Sequence, residues 1–505
     1  MANVIANVDA YVVINEVANV AANKKILLIL KMILFPICKS KPRKNIFFLF
    51  VVGCLFFTAC KKDSLITSAD ALLTSSADTL KFDTVFTSIG SITQSLKIRN
   101  PNNQRLLLSS VKLMGGALSP YRININGLAT TEAVNIEVAA EDSLYLFVSV
   151  SINPNAANLP FIVKDSIGIS YNGNTKWVQL EAYGQNANFL RNTVINQNRR
   201  WNNLLPYVIL GTVRIDTSVT LTIDPGCKIY AASNAPILVD GTLIVNGSKA
   251  MPVLFTGNRL DADYKDLPAS WPGIYCRASS KNNVFTYAIV KNAYQAIVAE
   301  SPALNTNPKI TLHQCIIDNA YDAGLLCVAS SVKADNSLII NCGSNFSVAL
   351  GGSYQLVNCT IAAYSTFISH KKPVLSVNNF LLINGAAITN SLSAQFTNCI
   401  FWGEEGQVAD EVVVSKQGLD AFDVSFKNCL YKAIADPANS TITGAIKNQS
   451  PMFDSIDVNK KIFDFHINNP AAPGVNKGLP VSFLKDLDGN DRRVGMPDIG
   501  CYEQQ

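Results

Sequence analysis

Two short stretches of this 505-residue chain hold the side chains best suited to grip or cut a polar ligand. Asp261, Asp263 and Asp266 surround Tyr264, and Glu404, Glu405, Asp410 and Glu411 follow Trp402. An aromatic ring beside carboxylates suits a sugar, whose apolar face stacks on the ring while its hydroxyls donate to the acids. Cleaving a glycosidic bond would require two carboxylates roughly 5 to 10 Å apart. Acids also gather on loops for solvation alone. Asp261, Asp263, Tyr264, Asp266, Trp402, Glu404 and Glu405 are therefore candidate ligand-binding residues, with no catalytic residue assigned.

Other chemistries lack their parts. The three histidines, His313, His370 and His466, are scattered, and no CxxC or Cys/His pair at ligand spacing occurs among the twelve cysteines, so no metal or cofactor is expected. Asp486, Asp488 and Asn490 alternate like the first ligands of a calcium loop, but Gly489 falls one place late and the distant Glu is missing. They read as a turn that closes the coil, with Arg492 or Arg493 pairing with Asp498.

Charge excludes a nucleic-acid partner. Of 42 basic and 37 acidic residues, seven Lys or Arg and two acids lie before Cys60, which leaves 35 of each in the remainder. The formal charge of +5 thus belongs to the leader, and the body carries no basic footprint. With 48% hydrophobic residues the chain is too apolar for disorder.

Ile46 to Ala59 is an uncharged run preceded by the basic stretch Lys39 to Lys44. Fourteen residues are too few to span a bilayer but suit the apolar part of a signal peptide. Phe57-Thr58-Ala59-Cys60, followed by Lys61-Lys62-Asp63-Ser64, resembles the lipobox of bacterial lipoproteins, in the form common in Bacteroidetes. The resemblance implies cleavage before Cys60, lipidation of Cys60, and a membrane partner held through that anchor. Expected localisation is the outer membrane of the cell envelope, at the cell surface or on its periplasmic face. Residues 1–59 read as a mis-annotated extension plus signal peptide, Met32 being the expected start, and residues 60–77 as a Ser/Thr/Ala/Asp-rich tether.

Residues 78–186 hold seven β-branched and aromatic segments at roughly ten-residue spacing: Leu80 to Phe86, Ser95 to Arg99, Leu106 to Leu113, Tyr121 to Ile125, Ser143 to Ile152, Ile162 to Tyr171 and Lys176 to Tyr183. Asn172-Gly173-Asn174 joins the last two as a hairpin. This pattern predicts an antiparallel, immunoglobulin-like β-sandwich without the immunoglobulin disulfide, acting as a spacer.

From residue 187 the chain repeats itself. Tyr287-Ala288-Ile289-Val290, Gln314-Cys315-Ile316-Ile317, Asn336-Ser337-Leu338-Ile339, Asn358-Cys359-Thr360-Ile361, Asn398-Cys399-Ile400-Phe401 and Asn428-Cys429-Leu430-Tyr431 align, with starts 27, 22, 22, 40 and 30 residues apart. About 22 residues take a parallel β-helix once round its three strands, and the longer intervals predict loops that leave and rejoin the coil. Small residues such as Cys359, Cys399 and Cys429 should form one inward file, with Ile317, Ile339, Ile361 and Phe401 filling the interior and the preceding Asn forming an amide ladder. Nine cysteines lie in this region, an odd number that argues against a complete disulfide framework.

LTIDPGCKIY, ILVDGTLIVNG, PVLFTGNRLDADYKDLPASWPGIY and the repeated Asn-Cys-Ile/Leu resemble right-handed parallel β-helix proteins of Bacteroidetes envelopes. DLDGNDRRVGMPDIGCYE, Asp486 to Glu503, resembles the end of choice-of-anchor Q domains and is expected to cap the coil. The Gly-His-Gly and Arg-Ile-Lys of polygalacturonases, which share that fold, are missing here. The expected fold is all-β: a β-sandwich followed by a right-handed parallel β-helix over residues 187–505. The expected function is a non-catalytic envelope lipoprotein that binds or displays an extended ligand, polysaccharide. The alternatives are a carbohydrate-active lyase or hydrolase, and a structural surface protein or adhesin.

Overall fold

Short β-branched runs broken by Gly, Asn and Pro sustain no helical period, and the described residues form strands with no α-helix. The computed structural model describes residues 64–87, 89–154, 160–364, 366–483, 485–493 and 495–504. The signal peptide, the extension before it and Cys60 lie outside the described residues. Leu65–Gln505 is one compact unit.

Its first part packs two sheets over one core. A six-stranded sheet contains Arg105–Leu113, Phe161–Tyr171, Asn174–Gln185 and Thr79–Phe86; a five-stranded sheet contains Gln94–Arg99, Ser143–Val150 and Tyr121–Ile125. Alternate residues of each strand, such as Leu96, Ile98, Leu144, Leu146, Val178 and Leu180, meet in the shared core. Asn172 and Gly173 both take positive φ (43° and 81°), and Tyr171 pairs with Asn174, as the hairpin signal requires. Two features depart from expectation. The sandwich is not wholly antiparallel, because Thr79–Phe86 runs parallel to Asn174–Gln185 and Leu65–Ile66 parallel to Arg105–Leu113. Part of the expected tether is folded: Thr74–Ser75 pairs with Gln94–Arg99, and Ala71 and Leu73 enter the core. Those few apolar residues, inconspicuous among Ser, Thr and Asp, order the segment.

From Asn188–Leu190 onward the chain winds as a solenoid of parallel strands. An 11-stranded sheet forms one wall, and a 17-stranded sheet, to which most coils contribute two strands and two coils a single long one (Ala323–Asp335 and Phe346–Val357), forms the others. Ile316–Asp318 pairs in register with Ala288–Lys291 before it and Leu338–Ile340 after it, and that pattern repeats along the wall. The predicted inward file exists. Leu338 N donates to Cys315 O (2.8 Å), Thr360 N to Ser337 O (3.0 Å), Ile400 N to Cys359 O (2.9 Å) and Leu430 N to Cys399 O (2.9 Å). Cys315, Ser337, Cys359, Cys399 and Cys429 are all buried, and Ile317, Ile339, Ile361 and Phe401 fill the interior with them. Phe396 and Phe426, one coil apart, stack at 4.9 Å, close to the ordinary strand spacing. The nine described cysteines are free and buried, and burial pushes the Cys315 thiol up to about 12. The long repeat intervals hold excursions, among them the antiparallel hairpin Phe380–Ile383 with Ala386–Thr389.

The Asn that precedes each inward small residue has a different basis from the expected ladder. Gln314, Asn336, Asn358, Asn398 and Asn428 all take φ between 45° and 52°. They mark the left-handed corner of each coil, where Asn is the best-tolerated residue after Gly. One amide-to-amide bond joins the column, Asn398 Nδ2 to Asn358 Oδ1 at 3.3 Å. The other amides reach the C-terminal segment: Asn358 Nδ2 donates to Asp498 O (3.0 Å) and Asn428 Nδ2 to Lys477 O (2.8 Å).

That C-terminal segment does not cap the coil end. It lies as a strap along the outer face of the 11-stranded wall, where Phe465, Ile467, Val475, Leu487, Ile499 and Cys501 cover Leu338, Ile340, Ala362, Ile400 and Leu430. The wall is apolar outside as well as inside, so the strap takes apolar surface of this flank out of water. Arg492 pins the strap. Its Nε donates to Asn336 Oδ1 and its two terminal nitrogens to Glu503 Oε2 and Gly500 O, each at 2.8 Å. The expected partner Asp498 instead accepts the backbone N–H groups of Asn476 and Gln504, and Arg493 pairs with Asp491. Gly500, at φ 107°, lies so near Ile400 and Thr360 that a Cβ there would clash at 2.7 Å.

Asn358→Ala should cost about 2 kcal/mol in denaturant unfolding, and Asn358→Gly about 1 kcal/mol less, because Gly adopts the corner without strain. Arg492→Met should cost about 3–5 kcal/mol, since it removes the buried guanidinium that pairs with Glu503 and donates to Asn336 Oδ1 and Gly500 O. Limited proteolysis of that variant should cut the strap at Lys477 or Lys485 before the solenoid is touched.

Candidate functional site

The two acidic stretches occupy the same edge of the solenoid but do not meet. One follows the strand Val253–Gly257 and the other follows Ile400–Gly403, five strands further along the 11-stranded wall. At the ordinary strand spacing that separation is about 24 Å. It exceeds the reach of a carboxylate pair acting on one glycosidic bond.

Within the first stretch, Asp261 accepts a bidentate pair from Arg259 (2.7 and 2.9 Å), whose guanidinium lies 3.9 Å from the Tyr264 ring centroid. Ala262 N donates to Asp83 Oδ2 of the sandwich at 2.9 Å, and Phe86, Val208 and Tyr230 form a small core beside this contact. Asp261 and Tyr264 therefore shape a loop that braces the sandwich against the first coils. Asp263 is exposed on that loop.

In the second stretch Trp402 is only 5% exposed, packed among Tyr364, Phe465 and Tyr502, with its Nε1 donating to Glu404 Oε1 at 2.9 Å. A ring covered by the strap cannot stack on a sugar, so its place among the candidate ligand-binding residues is corrected. Its outward register position, in line with Asp318, Ile340 and Ala362, explains the burial, because the strap covers that column. Glu411 is wholly buried against His370 Nε2 (2.8 Å), and Asp410 accepts Ile434 N (2.6 Å). Glu404 is half-buried and Glu405 exposed, and their charges add to the burial that raises the Tyr364 phenol.

Asp261 lines a cleft of about 180 Å³ with Asp83 and with Arg259, to which it is already paired, whereas Asp266 opens onto one where it meets groups from several coils. A cleft of about 220 Å³ lies between the two stretches, lined by Asp266, Lys291, Asp318, Asn319, Phe367 and Phe463 among others. A second column of left-handed asparagines builds its floor: Asn292, Asn319 and Asn341, at φ 61°, 56° and 53°. One amide-to-amide bond joins this column too, as at the other corner. Asn319 Nδ2 donates to Asn292 Oδ1 (2.9 Å) and to Asp266 O (2.8 Å), and Asn292 Nδ2 to Lys265 O (2.7 Å). Lys291 and Asp318 occupy one outward register position on adjacent strands, and Lys291 Nζ is 3.6 Å from Asp266 Oδ1. Burial pushes the Asp318 carboxyl up to about 6 against the pull of Lys291, and the nearby Asp266 carboxylate adds to the rise. Phe367 comes from the excursion after Thr360–Ala363, with Lys461 Nζ 3.6 Å from its ring centroid, and Phe463 from the start of the strap.

Lys291, Asp318, Phe367, Lys461 and Phe463 were not singled out by sequence reasoning. One signal was readable: Asp318 ends a repeat unit, Cys-Ile-Ile-Asp, at a position held by Ile340 and Ala362 in the next units. Among the described residues no group of three or more His, Cys, Asp or Glu side chains is arranged to hold a metal ion, and no helix is long and apolar enough to cross a membrane.

No protein-family model matches the chain, and no curated protein does. Among solved structures, a protein of unknown function from Porphyromonas gingivalis aligns at 13% identity and TM-score 0.18, over 25% of this chain and 50% of its own. A family 123 glycoside hydrolase from Clostridium perfringens aligns at 10% identity and TM-score 0.16, over 23% of this chain and 25% of its own. The chain thus spans half or less of these two structures, and likenesses this low carry no argument about fold or function.

A folded-state carboxyl titrating near 6 holds its proton where an unfolded aspartate, near 3.8, has lost it. Stability therefore falls as pH rises through that window and stays lower above it. Asp318→Asn should remove this dependence, raising stability by on the order of 2 kcal/mol at pH 7 and changing it little at pH 3.5. Denaturant unfolding across that range measures the difference.

Proposed function

We propose that this chain is a lipid-anchored protein of a Bacteroidetes-type outer membrane that binds an extended polysaccharide without cleaving it. In this reading Cys60 carries the acyl chains, the two-sheet domain is an immunoglobulin-like spacer, and the solenoid is a right-handed parallel β-helix. The hand follows from the near-universal chirality of parallel strand connections, and the anchor from the lipobox residues around Cys60.

The observation that carries the reading is the cleft on the solenoid edge, where the Asp266 and Asp318 carboxylates share one concavity with the Phe367 and Phe463 rings. Carboxylates accept hydroxyl hydrogens and rings take the apolar face of a sugar, a combination that suits glycans. A solenoid also presents its wall at regular intervals, which matches a ligand that is itself a repeating chain. One observation favours the catalytic alternative. A carboxyl raised to about 6 beside a second carboxylate is the usual setting of a general acid.

The two readings separate when the purified protein is incubated with plant and bacterial glycans. Binding with neither new reducing ends nor unsaturated uronates supports the non-catalytic reading. Cleavage that disappears in Asp318→Asn would replace it with the enzyme. An absence of any glycan binding would leave the structural or adhesive role.

A further inference from the structure

The cleft beside Asp318 joins four parts of the chain that are far apart in sequence: the loop bearing Asp266, the wall strands ending in Lys291 and Asp318, the excursion bearing Thr366 and Phe367, and the strap residues Lys461 and Phe463. Its polar lining is unbalanced. Asn319 is 8% exposed, its Nδ2 makes two hydrogen bonds, and its Oδ1 makes none. Thr366 Oγ1 is likewise buried without a partner. A buried polar atom left unpaired costs about 1–3 kcal/mol, so an amide oxygen that can only accept and a hydroxyl that can accept or donate, beside one cleft, mark a place where a ligand has groups to satisfy. With the Asp266 and Asp318 carboxylates, this lining offers an excess of acceptors, and a partner that completes it must bring donors.

The charges narrow the choice. Lys291 is drawn to Asp266, and Lys461 rests on the Phe367 ring, so both ammonium groups already have partners. An anionic ligand would have to approach two carboxylates with no free cation to receive it. Phe367 is 40% exposed, and its ring requires a partner with an apolar or weakly positive face. Hydroxyl donors on one edge and C–H groups on the other describe a neutral sugar ring. The volume, about 220 Å³, lies below that of drug-sized sites and suits one ring of a chain whose neighbours continue along the solenoid edge.

We infer that this cleft is a subsite for a single neutral pyranose unit, with its hydroxyls donating to Asp318 and Asn319 Oδ1 and its C–H face on the exposed part of the Phe367 ring. The inference rests on the glycan-binding reading above and deepens it. Isothermal titration of the full chain in detergent with neutral hexose hexasaccharides and with galacturonate hexamers tests it. The neutral oligosaccharides should bind at least tenfold more tightly than the uronates. Asp318→Asn and Phe367→Ala should each weaken neutral binding at least tenfold while leaving the melting transition cooperative, whereas Lys461→Ala, which uncovers the ring, should bind as tightly or more so. Neutral binding that survives both cleft variants would overturn the subsite and leave the glycan reading standing. Preference for the uronate, or a tenfold loss in Lys461→Ala, would overturn the ligand class or the stacking role. If neither oligosaccharide nor any glycan in a wider panel binds, the broader reading falls with it.

Discussion

The constraint on which the rest of the structure depends is the stacking of each coil directly on the last at about 4.8 Å. Once the backbone ladder from Cys315 through Ser337, Cys359 and Cys399 holds, a side chain at one position has its counterpart one strand away above and below. Small thiols and hydroxyls suit the tight inner file, branched and aromatic residues fill the wider interior, and rings such as Phe396 and Phe426 must lie nearly parallel because their backbones do. Thiols in this file are inert for the same reason. Desolvation on every side favours the neutral form.

Stacking also imposes corners. Each coil must turn at the two ends of its strand in the 11-stranded wall, and around Ala288–Lys291, Ile316–Asp318 and Leu338–Ile340 a residue at both ends takes positive φ. Asparagine serves there because it tolerates that conformation and carries an amide that still needs partners. At one end the amides bond the strap; at the other they bond one another and the Asp266 loop. One steric requirement therefore yields two outcomes, decided by what lies alongside. The strap follows from the wall itself, whose outward residues Leu338, Ile340, Ala362 and Ile400 are apolar. Arg492, buried with Asn336, Gly500 and Glu503, makes that cover specific in register rather than merely hydrophobic.

Much of this was legible in the residues. Period-two alternation located seven sandwich strands, and the recurrence of a small residue after Asn located the coils, because both patterns are local. The strand Glu132–Val138 was missed because its Glu-Ala-Val-Asn-Ile-Glu-Val leaves most residues partly or fully exposed at a sheet edge. The Asn column was recognised but explained wrongly, since an amide ladder and a left-handed corner predict the same residue. Only the dihedral angles and the bonds to the strap distinguish them. The strap reads as a cap in sequence because a terminal segment that differs from the repeats does not show which apolar surface it covers.

The candidate site was the least legible part, for a topological reason. In a solenoid, residues adjacent in space on one edge come from successive coils, and excursions of different lengths change their separation in sequence. Asp266 and Phe463 line the same cleft although 197 residues separate them. A search for acids near an aromatic in the linear chain therefore finds self-contained loops, such as Asp261 with Arg259 and Tyr264, whose groups already satisfy one another. A binding site needs groups whose needs the local chain leaves unmet. Asn319 Oδ1 is such a group, as is Thr366 Oγ1 in the same cleft, and no reading of the flanking residues shows that their partners are missing. Unmet hydrogen-bonding capacity is a property of the assembled wall, and in this fold it points to function better than the density of acids along the chain.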